Sequence, residues 1–203
     1  VGGEPVFVRT HPEDGFQYRP EAIKAALTPR TRGIVINSPC NPTGIVMTDQ
    51  NLRDIAQYGD QYIISDEIYH GLVYRGRARS ILEFTDRAFV INGFSKLFAM
   101  TGWRLGYIIF PMEFATVMQR IHQNFAISAN SFVQWACVAA FRDTKDDIER
   151  MRRVYDERRV YMIERLTRIG LKIHVEPTGA FYVFADGRHI FDDSFKEAFR
   201  IVD

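Results

Sequence analysis

Cysteine is scarce: Cys40 and Cys137 are the only two thiols in 203 residues. Two cysteines cannot build a disulfide framework, so stability has to come from a packed core. Long apolar runs are also missing. Stretches such as residues 108–112 (IIFPM) fall far short of the ~18 residues that cross a bilayer as a helix. Neither sign of charge dominates. Lys and Arg number 26 against 25 Asp and Glu, for a net charge of +1. Nothing in that balance asks for a nucleic acid or an anionic membrane as partner. No internal repeat or low-complexity linker occurs. Residues 1–8 hold no basic stretch followed by an apolar run, so no signal peptide is expected and a reducing cytoplasm is the expected location. What is present is ordinary core material. With 46% hydrophobic and 25% charged residues, the composition excludes disorder and collagen-like structure and fits roughly one to two domains.

Strand-like and helix-like segments alternate in the first half. Residues 4–9 read as a strand and residues 20–27 as a short helix, with Pro20 tolerated in its first turn. Residues 32–38 (RGIVINS) form a β-branched run that ends at Pro39, which predicts a buried strand. Residues 48–58 open on an N-cap threonine and carry Leu52, Ile55 and Ala56 on one face, which predicts a helix. Residues 61–66, 88–93 and 104–110 are three more buried-strand candidates. This order predicts an α/β fold with a mainly parallel sheet flanked by helices.

Beyond Pro111 the pattern turns helical. Residues 112–126, 128–141 and 145–168 are expected helices. In the last of these, Ile148, Met151, Tyr155, Met162 and Leu166, with Ile169 just beyond, follow a helical stripe. Its 14 charged residues of both signs read as a solvated face laced with local ion pairs. Residues 171–176 and 180–185 read as strands around Pro177-Thr178-Gly179, and residues 193–202 begin another helix. The change of pattern places a boundary between residues 1–142 and 143–203, with a smaller α+β unit starting in the second part.

In open α/β sheets, ligands sit beyond the carboxyl ends of the strands. Three predicted strands run into Asn41, into Asp66 with Tyr69, and into Ser95-Lys96; Arg104 follows eight residues after Lys96. An amide, a carboxylate, a phenol, a hydroxyl, an amine and a guanidinium thus gather at one edge. A lysine amine forms a Schiff base with an aldehyde. A carboxylate keeps a pyridine nitrogen protonated, which makes the ring an electron sink. Neutral donors suit a phenolic oxygen, and an arginine fork with a hydroxyl suits a phosphate.

Five motifs then carry a resemblance: SPCNPTG at 38–44, SDEIY at 65–69, GFSK at 93–96, MTGWRLGY at 100–107 and PTGAFYV at 177–183. Together they resemble fold-type I pyridoxal-phosphate enzymes, above all the class I/II aminotransferases of the aspartate and aromatic type. The resemblance implies pyridoxal 5'-phosphate as cofactor, an amino acid and a 2-oxo acid as substrates, and a homodimer. It matches Lys96 to the lysine that bonds the cofactor and then moves a proton at the substrate α-carbon. Asp66 matches the carboxylate at the pyridine nitrogen, and Tyr69 and Asn41 the donors to the phenolic oxygen. Arg104 matches the phosphate arginine. Ser95, next to the lysine, is the expected phosphate hydroxyl; three positions before the lysine, where many relatives carry a serine, this chain departs from the pattern with Gly93. The resemblance also implies cis peptides at Asn41-Pro42 and Ser38-Pro39. A glycine-containing phosphate loop and a stacking aromatic upstream, and a carboxylate-gripping arginine downstream, find no match. The chain is therefore expected to be an internal fragment, weak or inactive alone.

Blander readings compete for each residue. Asp66 alone can be a helix cap. Asp66, Glu67 and His70 do not have the spacing of a standard metal set. Pro42 blocks reading Asn41 as a glycosylation site. Cys40 is expected to be a buried inert thiol, and Trp103 and Trp135 packing residues. Two other functions share the cofactor motifs or the fold: a C–S or β/γ-eliminating lyase, and a non-catalytic sensing domain.

Overall fold

A computed structural model describes residues 2–58 and 60–202. Four strands, β1 (Gly33–Asn37), β2 (Tyr62–Asp66), β3 (Ala88–Gly93) and β4 (Gly106–Ile109), form one sheet in that order. The pairs β1–β2 and β2–β3 are parallel, and β3–β4 is antiparallel. Parallel neighbours need a crossover. Helix α2 (Asp49–Ala56) supplies the first, and a segment holding the 3₁₀ turn Ile81–Glu83 supplies the second. The Thr48 hydroxyl caps α2 by accepting from Asn51 N at 3.2 Å. Leu52 and Ile55, three residues apart and so on one helix face, pack under the sheet. There they meet Ile36, Ile63, Ala88 and Val90, with Ile23 of α1 (Pro20–Ala26) and Ile81.

The strands are less covered than their β-branched runs predicted. Val35, Ile91 and Ile108 share the opposite face through the register and stay 68%, 42% and 37% exposed. A β-branched run reports fitness for a pleated surface, not which segment covers it.

Helices α3 (Ala115–Phe125), α4 (Ser131–Asp143), α5 (Lys145–Arg168) and α6 (Ser194–Val202) follow. Two start later than the sequence predicts. A 3₁₀ turn at Met112–Phe114 precedes α3. Asn130 accepts from Phe132 N at 3.3 Å and so caps α4. Val133, Cys137 and Ala140 of α4 pack on Phe94, with Phe98, Met100 and Leu105 around them.

Three expected strands do not form. Residues 4–9 stay outside the sheet. In place of the strands expected at 171–176 and 180–185, this region makes only two isolated bridges: Lys172 with Asp186, and Gly179, between the two segments, with Val73. The physical reason is competition for backbone groups. Thr178 N and Gly179 N both donate to Gly44 O, at 2.9 and 2.7 Å, and Ala180 N donates to Leu72 O. Ala180 also takes a left-handed φ of 54°, which interrupts an extended run. Trp103 and Trp135, expected in the packing, are 45% and 74% exposed. Cys40 is only half-buried. No helix among the described residues is long and apolar enough to cross a membrane.

The charge run of α5 hides an exception to its solvated face. Arg159 is buried, with its guanidinium 5.3 Å from the Tyr74 ring centroid. It donates to Asp156 at 2.8 Å, to Glu176 at 2.5 Å and to Pro177 O at 3.3 Å. Arg159 thereby ties α5 to the loop that follows Glu176. Arg159→Met keeps the apolar stem but drops all three donors. It is expected to destabilise the protein by about 2–3 kcal/mol, below the full cost of breaking a wholly buried pair because both acids reach solvent. Chemical denaturation of the two proteins measures the difference.

Candidate active site

The carboxyl ends of β1, β2 and β3 share one edge of the sheet, and the loops after them meet there. Asp66 closes β2. Its Oδ1 accepts from Ile68 N at 3.1 Å, and Oδ2 has no hydrogen bond or ion pair among the described residues. Its carbonyl accepts from Asn37 Nδ2 at 2.9 Å, and Asn37 Oδ1 accepts from Asn41 N at 2.7 Å. Asn37 thus links the ends of β1 and β2 and sets where Asn41 starts its loop. The bonds Ser38-Pro39 and Asn41-Pro42 are both cis, as the motif implied.

Tyr69 lies at the centre of this edge and is 4% exposed. Its ring meets Phe181 and Tyr182 edge-on, at centroid distances of 5.3 and 5.4 Å. Its hydroxyl is hydrogen-bonded to the Tyr182 hydroxyl and to the Asn41 side chain. Burial first, then the Tyr182 hydroxyl, push the Tyr69 phenol far above its ordinary value, and the Asn41 hydrogen bond pulls it partly back. The phenol therefore keeps its proton throughout the physiological range.

Lys96 follows β3. Its Nζ sits 5.9 Å from the Tyr69 ring centroid and 5.7 Å from that of Phe181. Among the described residues no carboxylate lies within ion-pair distance of that amine. Asn41, Asp66, Tyr69 and Lys96 thus lie along one edge of the sheet. Ser95 and Arg104 are linked through a third residue. The Thr101 hydroxyl donates to Ser95 O at 2.8 Å, and Arg104 Nη1 donates to Thr101 O at 3.2 Å. Arg104 holds a left-handed φ of 55° at the end of the 3₁₀ turn Thr101–Trp103, and its side chain is exposed.

Glu67 and His70 have a structural explanation. Buried Glu67 Oε1 accepts from Ser65 Oγ, Ser80 Oγ and Ile81 N, at 3.0–3.1 Å. It anchors the 3₁₀ turn at Ile81, and His70 Nδ1 is 3.5 Å from its other oxygen. No group of three or more metal-ligating side chains is placed to hold an ion among the described residues.

Two site residues escaped the sequence reading, Phe181 and Tyr182. Their signal was present in PTGAFYV, a motif that identified a family without assigning these positions a place. Gly44 brings them in. At φ 68° a Cβ there would lie 2.5 Å from Pro177 Cβ and 3.0 Å from both Gly179 O and Tyr182 O. Only glycine lets the Asn41 loop and the 177–182 segment touch backbone to backbone.

The model of the family described as aminotransferase class I and II matches residues 1–201. The chain is 39% identical to the aspartate/prephenate aminotransferase of Thermus thermophilus, across 100% of this chain and 54% of that one. It is 40% identical to aromatic-amino-acid aminotransferase 2 of Thermococcus litoralis, across 91% of this chain and 49% of that one. The solved structure of Thermus thermophilus aspartate aminotransferase with maleate superposes at a TM-score of 0.92 and 39% identity, covering 97% of this chain and 53% of that one. The chain spans about half the length of the curated relatives it matches.

Proposed function

Because the chain belongs to the class I and II aminotransferases, we propose that the whole protein moves an amino group between an L-amino acid and a 2-oxo acid. Pyridoxal 5'-phosphate is the cofactor in this reading, a second copy of the chain the partner, and the cytoplasm the compartment. The names of the relatives favour a dicarboxylic or aromatic donor. The observation that carries the proposal is the position of the Lys96 amine. It faces two aromatic rings and no carboxylate, at the strand edge that also holds Asp66, Tyr69 and Asn41.

The donor set fits that cofactor group by group. An amine without an acidic partner suits the aldehyde. The free Asp66 Oδ2 suits a protonated pyridine nitrogen, and the Tyr69 phenol with the Asn41 amide suits the phenolic oxygen. Ser95 and Arg104 suit the phosphate. When bound, the group supplies an electron sink that makes the α-C–H of an amino acid acidic.

The rest of the chemistry belongs to the chain. The Asp66 carboxylate holds positive charge at the ring nitrogen. Tyr69 and Asn41 fix the phenolic oxygen and so the ring orientation. With the group bound, Lys96 Nζ would take up the proton from the substrate α-carbon and later release it, a base–acid role that contributes about 10²–10⁴ in rate. The Tyr69 and Phe181 rings flank one side of that amine.

Borohydride reduction of the whole protein with pyridoxal phosphate, followed by peptide mass spectrometry, tests the reading. One dominant reduced adduct on Lys96 is expected, with lower occupancy in Asp66→Ala. Adducts scattered over surface lysines, with none at Lys96, would sink it.

A further inference from the structure

Tyr182 belongs to the segment after Pro177, more than a hundred residues from Tyr69, yet the two hydroxyls share a hydrogen bond. A phenol has one proton and accepts through its lone pairs. Either hydroxyl can donate in this pair. A bond that uses the Tyr69 proton raises the Tyr69 phenol, as described above; once that proton serves a ligand oxygen, Tyr69 must instead accept from Tyr182, which draws the phenol back down. The surroundings hold the two hydroxyls within reach of each other. Thr178 N and Gly179 N are fastened to Gly44 O, and Ala180 N to Leu72 O. The Tyr74 hydroxyl donates to Ala180 O. Ala180 and Tyr69 are buried in one cluster with Leu72, against which Tyr155 and Tyr182 pack.

We propose that Tyr182 is a positioning residue for Tyr69: its hydroxyl donates to the Tyr69 oxygen, turns the Tyr69 proton toward the ligand and strengthens it as a donor. This rests on the reading of the site as a pyridoxal-phosphate site. Hydrogen bonds in a chain polarise one another, so the second phenol acts on the ligand through the first. The other titratable or charged groups facing Tyr69 are Asp66 on its own segment, Lys96 across its ring and Tyr155 of α5 in the same cluster. Each is unchanged in the variants below.

The test is the pH dependence of the visible absorbance of the bound cofactor, in the whole protein and in Tyr69→Phe, Tyr182→Phe and the double variant. Donation to the phenolic oxygen withdraws negative charge from it and lowers the proton affinity of the neighbouring nitrogen. Tyr69→Phe should therefore move the midpoint to higher pH. Tyr182→Phe should move it the same way by roughly a tenth to a third as much, the share expected of cooperative strengthening. The double variant should match Tyr69→Phe, because a residue acting through another adds nothing once that one is gone. An unmoved midpoint in Tyr182→Phe, with a shift in Tyr69→Phe, overturns the inference and leaves the proposed site standing. Additive shifts overturn it too, since Tyr182 would then act independently. No shift in either single variant overturns the assignment of Tyr69 itself. Circular dichroism and the cofactor-to-protein ratio confirm that each variant is folded and loaded, so that every midpoint can be compared.

Discussion

Lys96→Ala is expected to lower transamination by the whole protein by about a thousandfold, within the 10²–10⁴ that a positioned acid–base group supplies. The amine sits beside both the Tyr69 and Phe181 rings, and among the described residues no carboxylate lies within ion-pair distance to take over its proton. Lys96→Arg separates the two things the lysine offers. A guanidinium keeps the positive charge but does not give up its proton near neutrality. The arginine variant is therefore expected to be as slow as the alanine one in single-turnover assays. Substantial activity in Lys96→Arg would mean that charge, not proton transfer, is what this position contributes.

Gly44→Ala is expected to cost about 2–5 kcal/mol. A non-glycine residue at positive φ carries roughly 1–2 kcal/mol, and forcing a methyl into closed packing adds about 1–3. The added carbon would meet Pro177 Cβ at 2.5 Å and two backbone carbonyls at 3.0 Å, so backbone has to move. Gly76 is the matched control. It has a φ of 76° with nothing within 4 Å of an added Cβ, so Gly76→Ala carries the strain without the clash and should cost only about 1–2 kcal/mol. Denaturant midpoints of the two variants give the difference directly. If they are equal, the contact between the Asn41 loop and the 177–182 segment is looser than the structure has it. In the clashing variant Tyr182 is also displaced from Tyr69, so weaker cofactor binding should accompany the loss of stability.

The site and the framework were legible to different degrees. Strands β1 to β3 and helix α2 follow from local chemistry: β-branched runs, Pro39 as a stop, and Thr48 as a cap accepting from Asn51 N. Asn41, Asp66 and Lys96 were legible because each follows directly after a strand, and parallel strands bring their ends to one edge without help from distant residues. The expected strands at 171–176 and 180–185 had the right residue types, but the residues joining them bond elsewhere: Thr178 N and Gly179 N go to Gly44 O, Ala180 N goes to Leu72 O, and Lys172 pairs with Asp186 as an isolated bridge. Such competition has no local signature. The charge pattern of α5 likewise gave no way to single out Arg159, because its burial depends on Tyr74 and Pro177 arriving from elsewhere.

By itself, the sequence determined the α/β class, the strand–helix order, the family and the chemical inventory of one sheet edge. All of these rest on periodicity, caps and motifs contained within short stretches of chain. Only the tertiary structure decided that β4 returns antiparallel, that Val35, Ile91 and Ile108 on one sheet face are exposed, that Arg159 is buried and that Tyr182 meets Tyr69. Each of those depends on which distant segment wins a backbone group, a guanidinium or a hydroxyl. That competition is settled by packing across the whole chain, where the free energies compared are differences between alternative partners.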